Sequence, residues 1–502
     1  MLRKIRITLA VTVFTLITFL FLDFTGTLHL WFGWLAKVQL IPAILAVNAV
    51  AVIFIVLLTF VFGRVYCSVI CPLGVMQDGI SNLAGRGKGK KNRFVYSKAK
   101  NWLRYSLLAV FTVTLVAHKS VFFALLDPYA AYGRIASNLF APIYRSANNL
   151  LAFFAERIDS YAFYSTDVWI KSWSVFGVAI ATLILVGILA WRNGRTYCNT
   201  ICPVGSLLGF ISKYSLFKFT FDNNKCTGCK LCERSCKASC INSKEHKIDF
   251  SRCVACFNCV EACKPKGINY KIQSKKKIET AAVSVENNNS GFSRRSVLSL
   301  LGILAAGQAL RAQQQAPLLN VDGGLAPLKD RTAPTRQTPV VPPGAGSSKN
   351  LYTHCTACQL CISACPNGVL HPSNKLKTFM QPEMSFEKGY CRPECVECSS
   401  VCPTGAIKPV TRAQKSVIAI GTAVLIEENC VAFKNFRCDL CEYKCPTGAI
   451  TMRDLKTERG IAKVPVIDKE KCIGCGACEY LCPARPVSAI YVEGNVRHHE
   501  IW

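Results

Sequence analysis

Twice between residues 226 and 263 the chain repeats one pattern of thiols. CTGCKLCERSC begins at Cys226 and CVACFNCVEAC at Cys253, and each reads Cys-x2-Cys-x2-Cys-x3-Cys. Thiolates are soft ligands, and three at this spacing let one loop hold three corners of an iron–sulfur cube. In paired runs of this kind the fourth cysteine serves the other run's cluster. Cys226, Cys229, Cys232 and Cys263 are therefore expected to hold one [4Fe–4S] cluster, and Cys253, Cys256, Cys259 and Cys236 a second. Zinc is the competing metal, and eight thiolates in two interleaved runs speak against it. Lys237 and Lys264 stand where a proline usually follows the fourth cysteine. Cys240 is left over and reads as a non-ligand.

The tail repeats the theme four times, starting at Cys355, Cys391, Cys430 and Cys472, and each run ends in Cys-Pro. Crossing the fourth ligands within each pair gives four further sets. They are Cys355, Cys358, Cys361 and Cys402; Cys391, Cys395, Cys398 and Cys365; Cys430, Cys438, Cys441 and Cys482; and Cys472, Cys475, Cys478 and Cys445. The gap of seven residues after Cys430 departs from the others. Most of the 29 cysteines thus fall in tight runs that suit chelation, not the cross-links of a disulfide scaffold. The expected cofactors are six [4Fe–4S] clusters.

Four more cysteines sit in an internal repeat. GRVYCSVICPLG at 63–74 returns as GRTYCNTICPVG at 194–205. Cys67, Cys71, Cys198 and Cys202 could converge on one further cluster or metal. Equally, Pro72 and Pro203 could be shaping a turn, with the cysteines incidental.

The elements that must carry these thiols divide the chain. Apolar residues make up 51% of it and crowd into the first 215 positions. Four apolar stretches, near 5–22, 38–62, 105–126 and 175–191, are expected to be membrane spans. The 79–104 loop carries eight lysines and arginines and no acid after Asp78, which places it and the N-terminus in the cytoplasm. The net charge of +30 is explained by such loops, and a nucleic-acid partner is not expected. Each repeat copy follows a span and lies at the inner face.

Far from the N-terminus, GFSRRSVLSLLGILAAGQALRAQ at 291–313 looks like the start of an exported protein. Arg294 and Arg295 precede an apolar core of 14 residues, Val297 to Leu310, too short for a comfortable span and suited to a twin-arginine signal. Such export carries folded, loaded domains, as clusters require. The expected division is a four-span membrane domain at 1–215, an inner double-cluster ferredoxin domain at 216–275 and a linker at 276–292. A signal or anchor follows at 293–312, a proline-rich linker at 313–349 and an outer four-cluster domain at 350–497. The fold class is an α-helical membrane domain with small α+β bacterial-ferredoxin-like modules on both sides.

With these motifs in place, residues 1 to about 275 resemble the NapH-type membrane quinol dehydrogenase subunit, through the spans, the YCSVICP and YCNTICP motifs and the double ferredoxin run. Residues 293 to about 495 resemble the NapG/MauM-type exported ferredoxin, including GTAVLIEENC before Cys430. The resemblance implies a multi-pass protein of a bacterial inner membrane. It would oxidise quinol from the membrane pool and pass electrons to a periplasmic reductase or cytochrome. Two alternatives stand beside it: a transmembrane ferredoxin outlet, and a ferredoxin for metal-enzyme maturation or regulation. A radical-SAM enzyme is suggested by Cys391, Cys395 and Cys398, but Cys402 stands ready downstream and no large barrel is available. Quinol oxidation needs a proton acceptor beside an apolar slot. Asp23, His29, His118 and Asp127 lie at outer ends of spans, as interfacial residues or as that acceptor.

Overall fold

The computed structural model describes residues 1–86, 94–117, 120–160, 162–222, 224–272, 320–322, 326–328, 331–457 and 460–501. The expected twin-arginine segment with Arg294 and Arg295, both linkers around it up to residue 319, and His118 lie outside these residues.

Among the described residues two helices are long and apolar enough to cross a membrane: α1, Leu2–Leu22, and a later one of the same length, Trp173–Asn193. The other two expected spans are divided. In the stretch 38–62 a short helix, Leu40–Leu45, ends before Asn48, whose side chain accepts the Ala51 amide at 3.2 Å and starts α2, Ala49–Phe62. An N-cap of this kind begins a new helix instead of continuing the old one. The repeat follows as α3, Val65–Val69, and α4, Pro72–Arg86. The stretch 105–126 is likewise split, into α5, Asn101–Val116, and a separate short helix, Ser120–Leu126. Of the four expected spans, two stand among the described residues as single uninterrupted helices. Two full-length helices are joined by apolar helices of 14 and 16 residues.

Asp127 caps α6, Pro128–Ile135, by accepting the amides of Tyr129 and Ala130. All eight residues of α6 are buried. It runs through a π-helical turn, Ala136–Phe140, into α7, Ala141–Glu156. The long helix α8, Trp173–Asn193, leads to the second repeat copy as α9, Thr196–Thr200, and α10, Pro203–Ser212. Helix α4 of the first repeat copy packs on α8, α6 and α1, and α10 of the second packs on α2 and α5. Ile53, Leu57, Val113, Ile184 and Ile188 point out of the bundle and are exposed.

The inner module is framed by two antiparallel pairs. Strand β1, Phe217–Phe221, pairs along its length with the last strand of the module, and β2, Ile241–Asn242, pairs with β3, Lys247–Ile248. That last strand is β4, Ile268–Ile272. The module is fastened to the bundle where buried Arg64 and Arg104 both donate to the Ser251 carbonyl, at 3.1 Å each.

In the outer module, after a helix at Ser348–His354, helix α11, Leu360–Ala364, packs on α1 and the π-turn. It contains three antiparallel pairs. β5, Leu370–Pro372, pairs with β6, Pro382–Met384. β7, Ile418–Leu425, pairs with the strand Ile490–Glu500. Between them, β8, Ile450–Thr457, pairs with β9, Gly460–Ile467. In the last strand, β10, Ile490–Glu500, residues Ile490, Val492 and Gly494 are buried while their neighbours are half-exposed, the alternation of a strand with one face on a core. A single apolar core runs from Val254 and Cys256 of the inner module, past Cys67, Cys71 and Cys202, to Cys358, Leu360 and Cys361 of the outer one.

Candidate iron–sulfur centres

The four runs with Cys-x2-Cys-x2-Cys spacing share one backbone device. The residues on either side of the second cysteine lie in the left-handed region: Gly228 and Lys230, Ala255 and Phe257, Ala357 and Gln359, Gly474 and Gly476. For the non-glycine residues this conformation costs about 1–2 kcal/mol each, so something must reward it. Left-handed residues alternating along a loop turn successive amides inward and make an anion-binding nest. The amide two residues on bonds the second sulfur in every case, from Leu231 to Cys229, Asn258 to Cys256, Leu360 to Cys358 and Ala477 to Cys475. Fourth cysteines receive amides as well: Gly267 donates to Cys263 at 3.2 Å, Ala449 to Cys445 at 3.2 Å and Ala489 to Cys482 at 3.2 Å. Amide bonds to ligand sulfurs are one of the levers that set cluster potential.

The thiols come together in groups of four. Cys226, Cys229, Cys232 and Cys263 line one cavity, Cys430, Cys438, Cys441 and Cys482 another, and Cys365, Cys391, Cys395 and Cys398 a third. Cys361 interacts with Cys355, Cys358 and Cys402, and Cys475 with Cys472 and Cys445. The cavity of Cys236, Cys253, Cys256 and Cys259 also contains Cys240, whose sulfur is 3.5 Å from that of Cys236. Sequence spacing gave no reason to put Cys240 there. The four-residue return from Cys236 folds it back beside its neighbour, so the cavity offers five sulfurs.

The donor chemistry fits a cluster. Burial pushes the thiols of Cys361, Cys398 and Cys478 well above the ordinary range, so without a metal they stay neutral. A coordinating metal deprotonates such a thiol outright. No three Cys, His, Asp or Glu side chains among the described residues stand at single-ion spacing. Zinc, at about 2.3 Å from each sulfur, needs that spacing, whereas a cube places iron and sulfide between its ligands.

The sets adjoin one another within each module. Cys259 lies within electrostatic reach of Cys232, joining the two inner sets. In the outer module Cys361 reaches Cys398, and Cys475 reaches Cys391, whose amide donates to the Cys475 carbonyl at 2.9 Å. Cys478 reaches Cys441. The outer order is thus the sets begun by Cys355, Cys391, Cys472 and Cys430, which is not the order of the chain. The Cys355 set rests on the bundle: Asn138 of the π-turn donates to Gln359 at 2.7 Å, and Lys171 to the Ile362 carbonyl at 2.6 Å. Cys67, Cys71, Cys198 and Cys202 are all buried and all within interaction range of one another.

Of the candidate proton acceptors, Asp127 is accounted for as the α6 cap. Asp23 and His29 form a buried pair, with Nδ1 of His29 3.2 Å from Asp23 Oδ2. Asp23 also accepts the amides of Thr25, Gly26 and Leu28, each at 2.9 Å. Nε2 of His29 is buried and has no hydrogen-bond partner.

A chain whose loops cradle sets of four cysteines in this way is a ferredoxin-type iron–sulfur protein, and the comparisons agree. A family model described as a 4Fe-4S binding domain matches residues 45–91 and 173–222, and a 4Fe-4S dicluster domain matches 435–485. The methylamine utilization ferredoxin-type protein MauM of Methylobacillus flagellatus is 35% identical over 170 residues, 32% of this chain and 70% of the relative. The ferredoxin-type protein NapG of Escherichia coli is 31% identical over 232 residues, 43% of this chain and 91% of NapG. NapF of the same organism is 32% identical over 155 residues, 31% of this chain and 86% of NapF. No solved structure matches. The chain belongs to the Nap/Mau family of ferredoxin-type electron-transfer proteins.

Proposed function

We propose that the chain is a membrane-bound conduit that takes electrons from quinol and delivers them to a periplasmic reductase or cytochrome. The observation that carries this reading is the placing of the thiol sets, two adjoining in the inner module and four in a row in the outer one, the first of which rests on the helical bundle. Six [4Fe–4S] clusters, held by the 24 cysteines of the six sets, would each supply one-electron chemistry there. The division into a membrane unit at 1–215, an inner module at 216–275 and an exported module at 350–497 gives each set its side. Arg294 and Arg295 would direct the export. The outward-facing apolar side chains of α2, α5 and α8 suit lipid contact, since a soluble chain seldom exposes so broad an apolar surface.

The residues suited to quinol are Asp23 and His29. The Asp23 carboxylate accepts a hydrogen bond from Nδ1–H and fixes the ring, which leaves the buried, unpartnered Nε2 as the base. Gly26, three residues from His29, abuts Glu397 of the outer module, 3.2 Å from where its Cβ would stand. A proton acceptor and the outer sets are thereby neighbours. Menaquinol or ubiquinol added to membrane vesicles should bleach the outer clusters. Failure to do so, with about 24 irons bound per chain, refutes the quinol reading.

One observation favours a second reading. Cys229 is exposed, so the outermost inner set is open to a soluble cytoplasmic ferredoxin. If a reduced ferredoxin on that side reduces the outer sets and quinol does not, the chain is a transmembrane ferredoxin outlet.

A further inference from the structure

The repeat that contains Cys67, Cys71, Cys198 and Cys202 is not used by the six sets. Its two copies fold as mirror partners. Arg64, before the first copy, donates to the Cys198 carbonyl of the second at 3.2 Å, and Arg195, before the second, donates to the Cys67 carbonyl of the first at 2.6 Å. Gly74 and Gly205 make room for this exchange, because a Cβ at either would lie 2.7 or 2.8 Å from the opposite guanidinium. Donors then converge on the sulfurs. Gln77 Nε2 stands 3.2 Å from Cys198 Sγ, Arg64 Nη2 3.8 Å from Cys67 Sγ, and the Gly205 amide 3.4 Å from Cys202 Sγ.

Charge decides between a structural turn and a ligand site. Arg64 and Arg195 are fully buried. Arg64 has only neutral partners: Asn199, the Ser251 and Cys198 carbonyls, and the Cys67 sulfur. A single buried carboxylate, Asp78, serves Arg195 at 2.9 Å, Arg6 at 3.0 Å and Lys237 at 3.6 Å. Three buried cations thus share one anion, and Arg64 makes a fourth with no carboxylate partner. An uncompensated buried charge is strongly destabilising, and four neutral thiols do nothing to relieve it. Four thiolates around an iron–sulfur core leave a net negative charge in the middle of these cations. From this geometry we infer that Cys67, Cys71, Cys198 and Cys202 bind one shared iron–sulfur cluster inside the helical bundle, in addition to the six sets.

The position of the site gives it a role. Lys237, which replaces the usual proline of the inner motif, reaches Asp78 with its side chain, and its carbonyl accepts the Arg195 amide at 2.9 Å. The departure from the motif is therefore the clamp that holds the inner module on the four-thiol centre. Along α1, Arg3 bonds Asn258 of the inner module at 3.1 Å, and Arg6 bonds the Ser68 carbonyl of the repeat at 3.3 Å. Phe21, fifteen residues and about 22 Å further along the helix, lies where the Cys358 loop meets Gly133. Buried Tyr66 interacts with Cys67 and Cys71, and buried Tyr129 with Tyr66, Cys358 and Cys402. The centre stands between the inner and outer sets. It takes one electron from a reduced cluster on one side and gives it to an oxidised one on the other, with no bond made or broken. This bridging role rests on the conduit reading; the site itself does not.

Native mass spectrometry of the full-length chain, purified without oxygen, counts clusters without any variant. Seven supports the site; six, with these thiols free or paired as disulfides, overturns it. The variant Cys67→Ser/Cys198→Ser should lose about two or four irons, according to cluster type, with matching sulfide. It should keep the EPR signals of the other sets. Unchanged iron overturns the site. In vesicles, a reductant confined to the inner side should bleach the outer clusters of the wild type and fail to do so in the variant. Equal bleaching in both overturns the bridging role while leaving the cluster count to judge the site.

Discussion

Replacing Gly133 by alanine tests how the outer module is seated. Gly133 lies in α6, and a Cβ there would overlap the Cys358 carbonyl oxygen and stand 2.9 Å from Phe21 Cζ. In a helix with free surroundings Gly→Ala is stabilising by about 0.5–1 kcal/mol, because glycine loses more backbone freedom. Here the obstacle is backbone in a loop pinned by left-handed residues, so it cannot swing aside as a side chain would. Overpacking of this kind costs about 1–3 kcal/mol. The net effect is a loosening of roughly 1–2 kcal/mol, or about 5–30-fold in the docked fraction. Electron transfer falls steeply with separation, so quinol-driven reduction of the outer clusters should slow by a similar factor while iron content stays unchanged. Gly177→Ala and Gly187→Ala in α8, where a Cβ meets nothing within 4 Å, should be neutral or stabilising. A Gly133→Ala chain that is stabilised like these controls, or as fast as the wild type, refutes the docking described here.

His29→Gln should lower quinol-driven reduction by about 10²–10⁴-fold and leave dithionite reduction of all sets unchanged in stopped-flow absorbance. Arg336→Ala strands Glu479, whose carboxylate it meets at 2.5 Å with both side chains nearly buried; the outer module should lose about 3–5 kcal/mol in denaturant titration. Burial beside Trp169, Lys171 and Lys388 lowers His371 from 6.5 to about 4. The unfolded chain then takes up that proton first, so outer-module stability should be full above pH 6.5 and fall between pH 6.5 and 4, a slope that His371→Phe should remove. Phe436 and Tyr443, 67% and 82% exposed beside the Cys430 set, are placed to meet an acceptor. Changing both to serine should raise the apparent KM for a soluble acceptor without slowing reduction of the clusters themselves.

The cysteine runs were readable because a loop that wraps a cube must repeat its thiols at short, fixed intervals. Crossing the fourth ligands needed only the pairing of neighbouring runs. Cys240 was not readable, since its approach to Cys236 depends on a tight return that spacing alone does not encode. The convergence of Cys67 and Cys71 with Cys198 and Cys202, equivalent positions 131 apart along the repeats, was open for the same reason. Each pair offers two thiols, and the crossing arginines and Gln77 that bring the copies face to face act across the whole repeat. Hydropathy marked the apolar stretches but not their interruptions. Asn48 reads as one polar residue in an apolar run, yet as a cap it begins a new helix. The outer order of sets was also hidden, because β10 returns to pair with β7 and carries the Cys472 run between the two earlier ones.

That return has a consequence for synthesis. The Cys472 set lies in the middle of the outer line, and the Cys430 set at its end is completed by Cys482. On the proposed conduit reading, a ribosome that stalls, or a protease that cuts the chain, between residues 402 and 482 leaves a product with the Cys355 and Cys391 sets complete and the Cys430 set open. Such a fragment can charge but cannot discharge. Under that reading the segment from Cys472 to Cys482 closes both of the sets nearest the acceptor.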